Sequence, residues 1–331
     1  MKIAFYSMKE YDVTTFTQDR ISPHEITFIP HRLDDKTAIL AAGHDAVCIF
    51  VNDAGDVQTL QALHDVGVRT VALRCAGFNN VDLKKSEELG MSVVRVPAYS
   101  PEAIAEFTVG TILTVVRKYH KAYNRVREGN FLLSGLVGFN LFGKTVGIIG
   151  TGRIGMLTGK IISRGFGCTV LAHDPYPDPA VAGDAGITYV PLHELLSRSD
   201  IISLHCPLLA STRYLLNAET LALTRRGVVL INTSRGALID TAALIAHLKS
   251  GHVGAVALDV YEREEEYFFR DGSGMIMHDD VLSRLLSFHN VFVTGHQAYL
   301  TEEALTAIAE TTVQNLNDLE QGKDCVNIVK A

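Results

Sequence analysis

Short apolar runs rich in β-branched residues alternate with helical stretches along the first hundred residues. Continuous runs of this length are typical of strands buried on both faces, as in a parallel sheet covered by helices. The pattern therefore predicts a first α/β unit. Its predicted strands are Lys2 to Ser7, Glu25 to Pro30, Asp45 to Val51, Val68 to Cys75 and Ser92 to Val96.

A long apolar helix is predicted next, from Pro101 to His120. Ser100 suits its N-cap, and Pro101 suits its first helical position. The apolar surface of this helix is wider than one core-facing stripe requires. We expect the excess surface to meet another domain or a second subunit.

A second α/β unit opens with the predicted strand Thr145 to Ile149. Capping residues indicate where the helices between the later strands begin and end. Asn217 and Asp240 are predicted N-caps, and Gly227 and Gly251 are predicted to end helices. A last helix, from Thr301 to Glu320, is free to pack back on the first unit. The further predicted strands are Cys168 to His173, Asp200 to His205, Val228 to Asn232, Val253 to Leu258 and Val291 to Thr294.

The alternation predicts an α/β fold of two doubly wound parallel-sheet domains, Rossmann-like or flavodoxin-like, separated by a cleft. A chain of 331 residues also exceeds what one hydrophobic core usually supports. The first domain is predicted to be discontinuous, residues 1–100 plus 299–331, and the second to span residues 101–298.

Composition argues against nucleic acids, metal ions and membranes as binding partners. The net charge is −7 and no long run of Lys and Arg occurs, which argues against nucleic acid as a partner. The five cysteines are widely spaced and form no CxxC pair, so neither a metal site nor a disulfide scaffold is predicted. No stretch approaches the roughly 20 apolar residues of a membrane span. We expect a cytoplasmic protein that binds neither metal nor membrane.

A glycine-rich motif, Gly150-Thr151-Gly152-Arg153-Ile154-Gly155, directly follows the strand ending at Ile149 and opens a helix. In this context glycines permit a tight turn, close approach of backbone to a pyrophosphate, and helix packing on the strand. Asp174 ends the next predicted strand, where a carboxylate accepts hydrogen bonds from ribose hydroxyls and repels a 2′-phosphate. The motif predicts NAD as the cofactor. The alternative is a glycine turn that merely joins strand to helix.

Polar residues that suit acid–base chemistry follow three predicted strands. The guanidinium of Arg235 can grip a substrate carboxylate with two parallel bonds, and the imidazole of His296 can give a proton to a carbonyl oxygen. A carboxylate beside His296 would favour the imidazolium. The residue pattern leaves four acids open for that role: Glu262, Glu264, Glu265 and Glu266. Alternatively, Arg235 caps a loop or meets a surface acid, and the acidic run is a solvated loop.

Taken together, these residues resemble the D-2-hydroxyacid dehydrogenase family, over nearly the whole chain. The resemblance implies that Arg235 binds and polarises a 2-oxo acid, that His296 is the proton donor, and that Glu264 supports His296. The motifs that carry it are Leu73 to Asp82, Val96 to Pro101, Gly150 to Gly155, Asp174 to Tyr176, His205 to Leu208, Asn232 to Gly236, Asp259 to Glu262 and Gly295 to Ala298.

The resemblance also assigns binding residues in both predicted domains. It implies that the discontinuous domain binds substrate, with backbone amides of Gly77, Phe78 and Asn79 holding the carboxylate and Tyr99 in the pocket. Tyr299, also assigned to the substrate pocket, stands where Phe is common in close relatives. The implied cofactor contacts of the NAD-binding domain are Gly150, Gly152, Arg153, Ile154, Gly155, Asp174, Cys206, Pro207, Thr212, Thr233, Ser234 and Asp259.

Residues Tyr267 to Asp271 look like an insertion of the lactate-specific branch of the family. The implied reaction is reversible, NADH-dependent reduction of pyruvate to D-lactate, and the D stereochemistry rests on the resemblance alone. Phenylpyruvate, 2-oxoisocaproate and hydroxypyruvate are the competing substrates. The rival from another class is an NAD(H)-sensing, corepressor-like binding protein, since fold does not fix function. A homodimer or homotetramer is expected.

Overall fold

The computed structural model describes the backbone of residues 1–331 and all side chains except those of residues 181 and 184. The chain divides into two compact units. The first comprises Met1–Ser100 and Leu300–Ala331, and the second comprises Pro101–Tyr299. No helix in the described chain is long and apolar enough to span a bilayer.

The first unit is built on a five-stranded parallel sheet of order β2-β1-β3-β4-β5. This is the flavodoxin-like strand order. The strands are all parallel, and the order in which they are added to the sheet reverses between β1 and β3. All four residues of β3 and of β4 are buried, as continuous apolar runs predict. The strands are β1 (Lys2–Phe5), β2 (Glu25–Phe28), β3 (Ala46–Ile49), β4 (Thr70–Leu73) and β5 (Ser92–Arg95).

Five α-helices accompany this sheet. The last of them begins after Thr301, whose hydroxyl accepts from the Ala304 amide, and it contacts β4 and β5. It ends just before Gly322, which has a left-handed φ of +65°. The helices are α1 (Glu10–Thr15), α2 (Gln18–Ile21), α3 (Val57–Asp65), α4 (Leu83–Glu88) and α13 (Glu302–Glu320), with a 3₁₀ turn at Ala38–Ala41.

The second unit is built on a seven-stranded parallel sheet of order β12-β11-β10-β9-β6-β7-β8. The order reverses between β9 and β6, which creates the switch point where open α/β sheets bind ligands. Two parallel-sheet α/β domains were predicted, and this fold class is confirmed. The strands are β6 (Thr145–Ile149), β7 (Thr169–His173), β8 (Ile187–Tyr189), β9 (Ile201–Leu204), β10 (Val228–Asn232), β11 (Val253–Leu258) and β12 (Val291–Val293).

Apolar clusters cover both faces of this larger sheet. Leu230 of β10 lies in one cluster, whereas its neighbours Val229 and Ile231 lie in the other. Since successive side chains of a strand point to opposite faces, the two clusters form two core layers. This double burial explains why the strands read as continuous apolar runs rather than as alternating patterns.

The helices of the second unit begin where the sequence predicts caps. Asn217 accepts from the amides of Glu219 and Thr220, and Asp240 accepts from the amide of Ala243. The helices are α5 (Pro101–Arg117), α6 (Tyr119–Arg127), α7 (Arg153–Phe166), α8 (Pro179–Ala185), α9 (Leu192–Arg198), α10 (Ala218–Ala222), α11 (Thr241–Lys249) and α12 (Asp280–Leu286), with 3₁₀ turns at Gly236–Leu238 and Glu264–Glu266.

The long helix predicted to end at His120 is two helices. Lys118 has φ of 57° and ψ of 37°, and this left-handed conformation interrupts the helical hydrogen bonds between α5 and α6. Nine residues of α5 are buried within the single chain. The helix contacts α7, β10 and β11 of its own unit, and this packing accounts for much of its wide apolar surface.

Candidate functional site

The glycine loop between β6 and α7 has no room for side chains at two positions. A Cβ on Gly150, whose φ is +93°, would lie 2.5 Å from the backbone nitrogen of Cys206, and one on Gly155 would overlap the Gly150 carbonyl. The N-cap of α7 is Gly152, which has no side chain to cap the first amides. Free amides at a helix N-terminus bind phosphate. The loop therefore fits a dinucleotide pyrophosphate.

Asp174, at the end of β7, is tied to the same loop. One carboxylate oxygen accepts from the Thr151 amide at 2.7 Å and the Thr151 hydroxyl at 3.0 Å, and the other accepts from the Tyr176 amide at 2.8 Å. Burial works against the charge, but these hydrogen bonds outweigh it and lower the pKa of Asp174. Asp174 is thus an ionised acceptor beside the phosphate loop, where a ribose needs one.

Tyr189 on β8 extends this network and was missed by the sequence analysis. Its hydroxyl donates to the Thr151 hydroxyl at 2.8 Å and accepts from the Asp178 amide at 3.1 Å. It therefore holds Thr151 in place for Asp174. The three-residue strand β8 has too short an apolar pattern to be recognised in the sequence, and no other signal identified Tyr189.

Five further predicted cofactor residues lie in the loops after β9 and β10, two strands on the same side of the switch point: Cys206, Pro207, Thr212, Thr233 and Ser234. Ser234 donates its hydroxyl to the Cys206 carbonyl at 2.8 Å, and the Thr212 hydroxyl donates to the Pro207 carbonyl at 2.6 Å. Thr233 shares a 2.9 Å hydrogen bond with Thr108 of α5. Burial raises the pKa of the Cys206 thiol to about 11, so this thiol stays neutral.

His205, also missed as a site residue, lies directly against the glycine loop, within van der Waals reach of a Cβ on Gly155. Burial lowers the pKa of His205 to about 4, and one ring nitrogen is 2.9 Å from the Ser203 hydroxyl. The ring is therefore neutral at pH 7. A neutral, partly buried imidazole supports the loop without adding charge beside bound phosphates.

Three adjacent strands, β10, β11 and β12, lead to Arg235, Glu264 and His296. Because the strands are parallel, their carboxyl ends and the loops that follow meet at one sheet edge. The loops after β10 and β11 touch, since a Cβ on Gly236 would overlap the backbone of Tyr261. Arg235 is half-buried, and its guanidinium donates to the Ser234 carbonyl at 2.7 Å.

His296 and Glu264 form a direct pair. Nδ1 of His296 lies 2.7 Å from Oε1 of Glu264, and both side chains are mostly buried. Oε2 of Glu264 accepts from the Tyr261 amide at 3.0 Å, which orients the carboxylate. Glu262 instead accepts from the Tyr214 hydroxyl at 2.9 Å. The structure therefore brings Glu264, the acid implied by the family resemblance, to the imidazole.

An aromatic side chain lies next to the same imidazole. The ring of Phe269 has its centroid 5.7 Å from that of His296. Phe269 belongs to the segment Tyr267 to Asp271 that the sequence analysis compared with a lactate-specific insertion. This segment therefore contributes to the surroundings of the imidazole, a role that the sequence pattern did not assign.

Asp259 fastens the loop that carries His296. Its Oδ1 accepts from the Thr294 hydroxyl at 2.5 Å and the Gln297 amide at 2.9 Å, and its Oδ2 accepts from the Ala298 amide at 2.8 Å. Burial raises the pKa of Asp259, and the three hydrogen bonds oppose that rise. His296 itself has a left-handed φ of 57°. Both oxygens of Asp259 hold this loop. The predicted cofactor contact at Asp259 stays a prediction.

The predicted carboxylate-binding loop, residues 77–79, follows β4 in the first unit. Arg95 holds this loop, since its guanidinium donates to the Ala76 carbonyl at 2.8 Å and stacks 5.0 Å from the Phe78 ring centroid. Tyr99 follows β5 in the same unit, and Tyr299 is buried in the second unit. The substrate contacts of Gly77, Phe78, Asn79, Tyr99 and Tyr299 stay predictions.

Comparison with known proteins shows the family to which the chain belongs. Residues 109–298 match the family model "D-isomer specific 2-hydroxyacid dehydrogenase, NAD binding domain". The chain is 51% identical to D-lactate dehydrogenase of Escherichia coli over 328 residues, 99% of each chain. The apo-structure of the Escherichia coli enzyme aligns with a TM-score of 0.91 and 49% identity, covering 99% of this chain and 100% of that one.

Two further solved structures cover nearly all of both chains. The pyruvate reductase of Chlamydomonas reinhardtii is 46% identical with a TM-score of 0.93, over 99% of this chain and 98% of that one. D-lactate dehydrogenase of Aquifex aeolicus, solved with NAD and lactic acid, is 30% identical with a TM-score of 0.87, over 99% of each. With its glycine loop, ionised Asp174 and matching family model, the chain belongs to the D-isomer specific 2-hydroxyacid dehydrogenase family and is an NAD-dependent oxidoreductase.

Proposed function

We propose that this chain is a D-lactate dehydrogenase that reversibly reduces pyruvate with NADH, and that Arg235, Glu264 and His296 carry the reaction. The observation that supports this best is the 2.7 Å pair of His296 and Glu264 at the sheet edge reached by Arg235. The identity of 51% over nearly the whole Escherichia coli D-lactate dehydrogenase supports pyruvate as the substrate.

Different residues bind the cofactor and the substrate. The glycine loop and the first turn of α7 bind the pyrophosphate, and Asp174 accepts from the ribose hydroxyls. Arg235 binds the pyruvate carboxylate and polarises the carbonyl, because a guanidinium presents two parallel donors. The chemistry that NADH supplies when bound is donation of a hydride to carbon C2.

Proton transfer falls to His296. Glu264 engages Nδ1, so Nε2 is the nitrogen that donates to the carbonyl oxygen as the hydride reaches C2. One hydride and one proton convert the carbonyl to the hydroxyl of lactate, leaving NAD⁺ and a neutral imidazole that regains its proton from solvent. In the reverse direction the same nitrogen accepts the hydroxyl proton.

The test follows NADH absorbance at 340 nm with pyruvate. Replacing His296 with Gln is expected to lower kcat by roughly 10²- to 10⁴-fold, the range for loss of a general acid. His278→Gln is the matched control, since His278 is an exposed residue of the same unit. Equal turnover in the two variants would refute the role of His296. No NADH oxidation by the unmodified protein with any 2-oxo acid would favour the NAD(H)-sensing binding protein.

Substrate preference is tested by kcat/KM for pyruvate, hydroxypyruvate, phenylpyruvate and 2-oxoisocaproate. We expect pyruvate to be preferred, because the aromatic side chains of Phe269 and Tyr299 would crowd a large substituent at C3. Tyr299→Phe and Tyr299→Ala serve as a matched pair. Tyr299→Phe removes only the hydroxyl. Tyr299→Ala is expected to raise kcat/KM for phenylpyruvate relative to kcat/KM for pyruvate. A preference for phenylpyruvate in the unmodified protein would contradict the assignment.

We also propose that the protein is a homo-oligomer with a dimer as its minimal unit. A run of large apolar residues is exposed on α6 and the segment that follows, which is typical of an interface. These residues are Tyr119, Tyr123, Val126, Phe131, Leu132, Leu133, Val137 and Phe142. Sedimentation is expected to show a smaller species for Leu133→Ser but not for the control Val326→Ser, which changes an apolar, exposed residue of the first unit. An unchanged mass for Leu133→Ser would refute the assignment of this surface as the interface.

A cytoplasmic location stays a prediction.

A further inference from the structure

A basic cavity lies at the amino ends of β11 and β12, in the second unit. It has a volume of about 330 Å³, and its polar lining comes from Lys118, His120, Lys121, His289 and Asn290. Gly254 and Ala255, at the start of β11, complete this wall. The candidate catalytic loops follow the carboxyl ends of the same strands, so the basic cavity is a separate site.

We propose that this basic cavity is a binding site for a phosphate-bearing anion, distinct from the dinucleotide site. Its lining side chains are cationic, neutral polar or apolar, and neither Asp nor Glu occurs among the described residues that line it. A cavity of this volume accommodates a small ligand rather than a macromolecular surface. The charge of the lining selects an anion.

The cations of the basic cavity oppose one another in the absence of a counter-ion. Burial, followed by the charges of Lys118 and Arg125, lowers the pKa of Lys121. Burial, followed by the charges of Lys121 and Lys118, lowers the pKa of His289. A bound anion would replace this repulsion with attraction and favour the charged forms. An anion bound in the basic cavity would gain from attraction to these groups and would relieve part of their mutual repulsion.

His120 contributes a polar atom that has no protein partner. Its Nδ1 is buried without a hydrogen-bond partner, whereas its Nε2 lies 3.4 Å from the His289 carbonyl oxygen. The ring of His120 therefore forms part of the cavity wall, with Nδ1 buried and Nε2 facing the His289 carbonyl.

The backbone at the basic cavity supports the same ligand. Helix α6 starts at its wall, and its N-cap residue Lys118 provides no side-chain acceptor for the first amides. The Lys118 ammonium is fixed by donation to the Gly135 carbonyl at 3.1 Å. Ammonium groups bind phosphate as point charges, whereas carboxylates are matched by the planar fork of arginine. Lysines beside a helix start therefore favour phosphate over carboxylate.

Calorimetric titration of the NADH-saturated protein tests the proposal, because NADH fills the dinucleotide phosphate site. The probes are inorganic phosphate, glycerol phosphate and malonate. Lys121→Gln and His289→Gln are each expected to weaken phosphate binding roughly tenfold, the usual loss for one charge-assisted hydrogen bond. Lys84→Gln is the matched control, since it removes one positive charge from an exposed position of the first unit.

Tighter binding of glycerol phosphate than of inorganic phosphate would identify a phosphate ester as the ligand, and the reverse would identify free phosphate. Either result supports the site. Malonate that bound as tightly, with the same dependence on Lys121, would overturn the choice of phosphate. Equal affinity in the unmodified protein, Lys121→Gln and His289→Gln would overturn the site itself. Neither outcome depends on turnover of pyruvate.

Discussion

Replacing Asp259 with Asn tests whether a buried carboxylate sets the position of His296. Asp259 is 1% exposed. Its two oxygens accept three hydrogen bonds from the loop around His296, from Thr294, Gln297 and Ala298. The substitution keeps the size of the side chain but leaves one oxygen and one NH₂ group. The NH₂ group would face a backbone amide that also donates.

The cost can be worked from these contacts. If the Asn oxygen keeps the bonds to Thr294 and Gln297, the Ala298 amide loses its acceptor. One hydrogen bond to a charged group and one unsatisfied buried amide together cost roughly 2–4 kcal/mol. For a unit of this size, that lowers Tm by roughly 5–15 °C. A shift of about 1 Å in a catalytic group can lower the rate roughly 100-fold, so we expect kcat to fall roughly 10- to 100-fold.

The assay combines thermal denaturation with steady-state kinetics at a temperature where the variant is folded. Asp53→Asn is the matched control, because Asp53 is also 1% exposed and accepts from one hydroxyl and two amides, those of Ser7, Leu33 and Phe50. Both variants are expected to lose similar stability, but only Asp259→Asn is expected to lose kcat. A destabilised Asp259→Asn with normal kcat would refute the reasoning.

Other predictions follow from the geometry of the second unit. Asp174→Ala should raise the KM for NADH roughly 10- to 100-fold by removing charge-assisted bonds to the ribose, measured at 340 nm. Because hydrogen bonds lower the folded-state pKa of Asp174, its stabilisation is present above the unfolded pKa and lost as pH falls through the folded pKa; Asp174→Ala should flatten the acid side of the Tm profile. Gly236→Ala should lower Tm by several degrees, because its Cβ overlaps the Tyr261 backbone. Gly165→Ala should raise Tm slightly, because Gly165 is helical and its Cβ meets open space.

The buried strands could be predicted because burial on both faces of a strand requires a continuous apolar run in the sequence. Thr145–Ile149, Val228–Asn232 and Val253–Leu258 have the predicted bounds. The edge strand Ile187–Tyr189 was missed, since an edge needs few apolar residues. The predicted helix extended to His120, whereas α5 ends at Arg117. The difference could not be predicted, because lysine has no preference for the left-handed backbone that Lys118 adopts.

The site was predictable where a motif carries its own geometry, as the glycine loop does. The choice among four glutamates was not, because Glu264 to Glu266 form a 3₁₀ turn whose orientation depends on contacts distant in sequence. Glu264 was assigned through family resemblance, and the structure supplies the physical reason, a bond from the Tyr261 amide that aims the carboxylate at His296. Asp259 was predicted as a cofactor contact, and its role in the loop required coordinates.

The arrangement around His296 shows how a parallel sheet can position an imidazole that lies in a loop rather than on a helix or strand. A left-handed backbone at a non-glycine residue carries a cost of order 1 kcal/mol or more, so the loop would relax unless other contacts fixed it. Asp259, directly after β11, fixes this loop, and Glu264, in the 3₁₀ turn that follows β11, holds the imidazole. Both constraints on His296 therefore come from the segment that follows β11, and β11 lies between the strands that lead to Arg235 and His296. Perturbations of this central strand should alter proton transfer more than substrate binding.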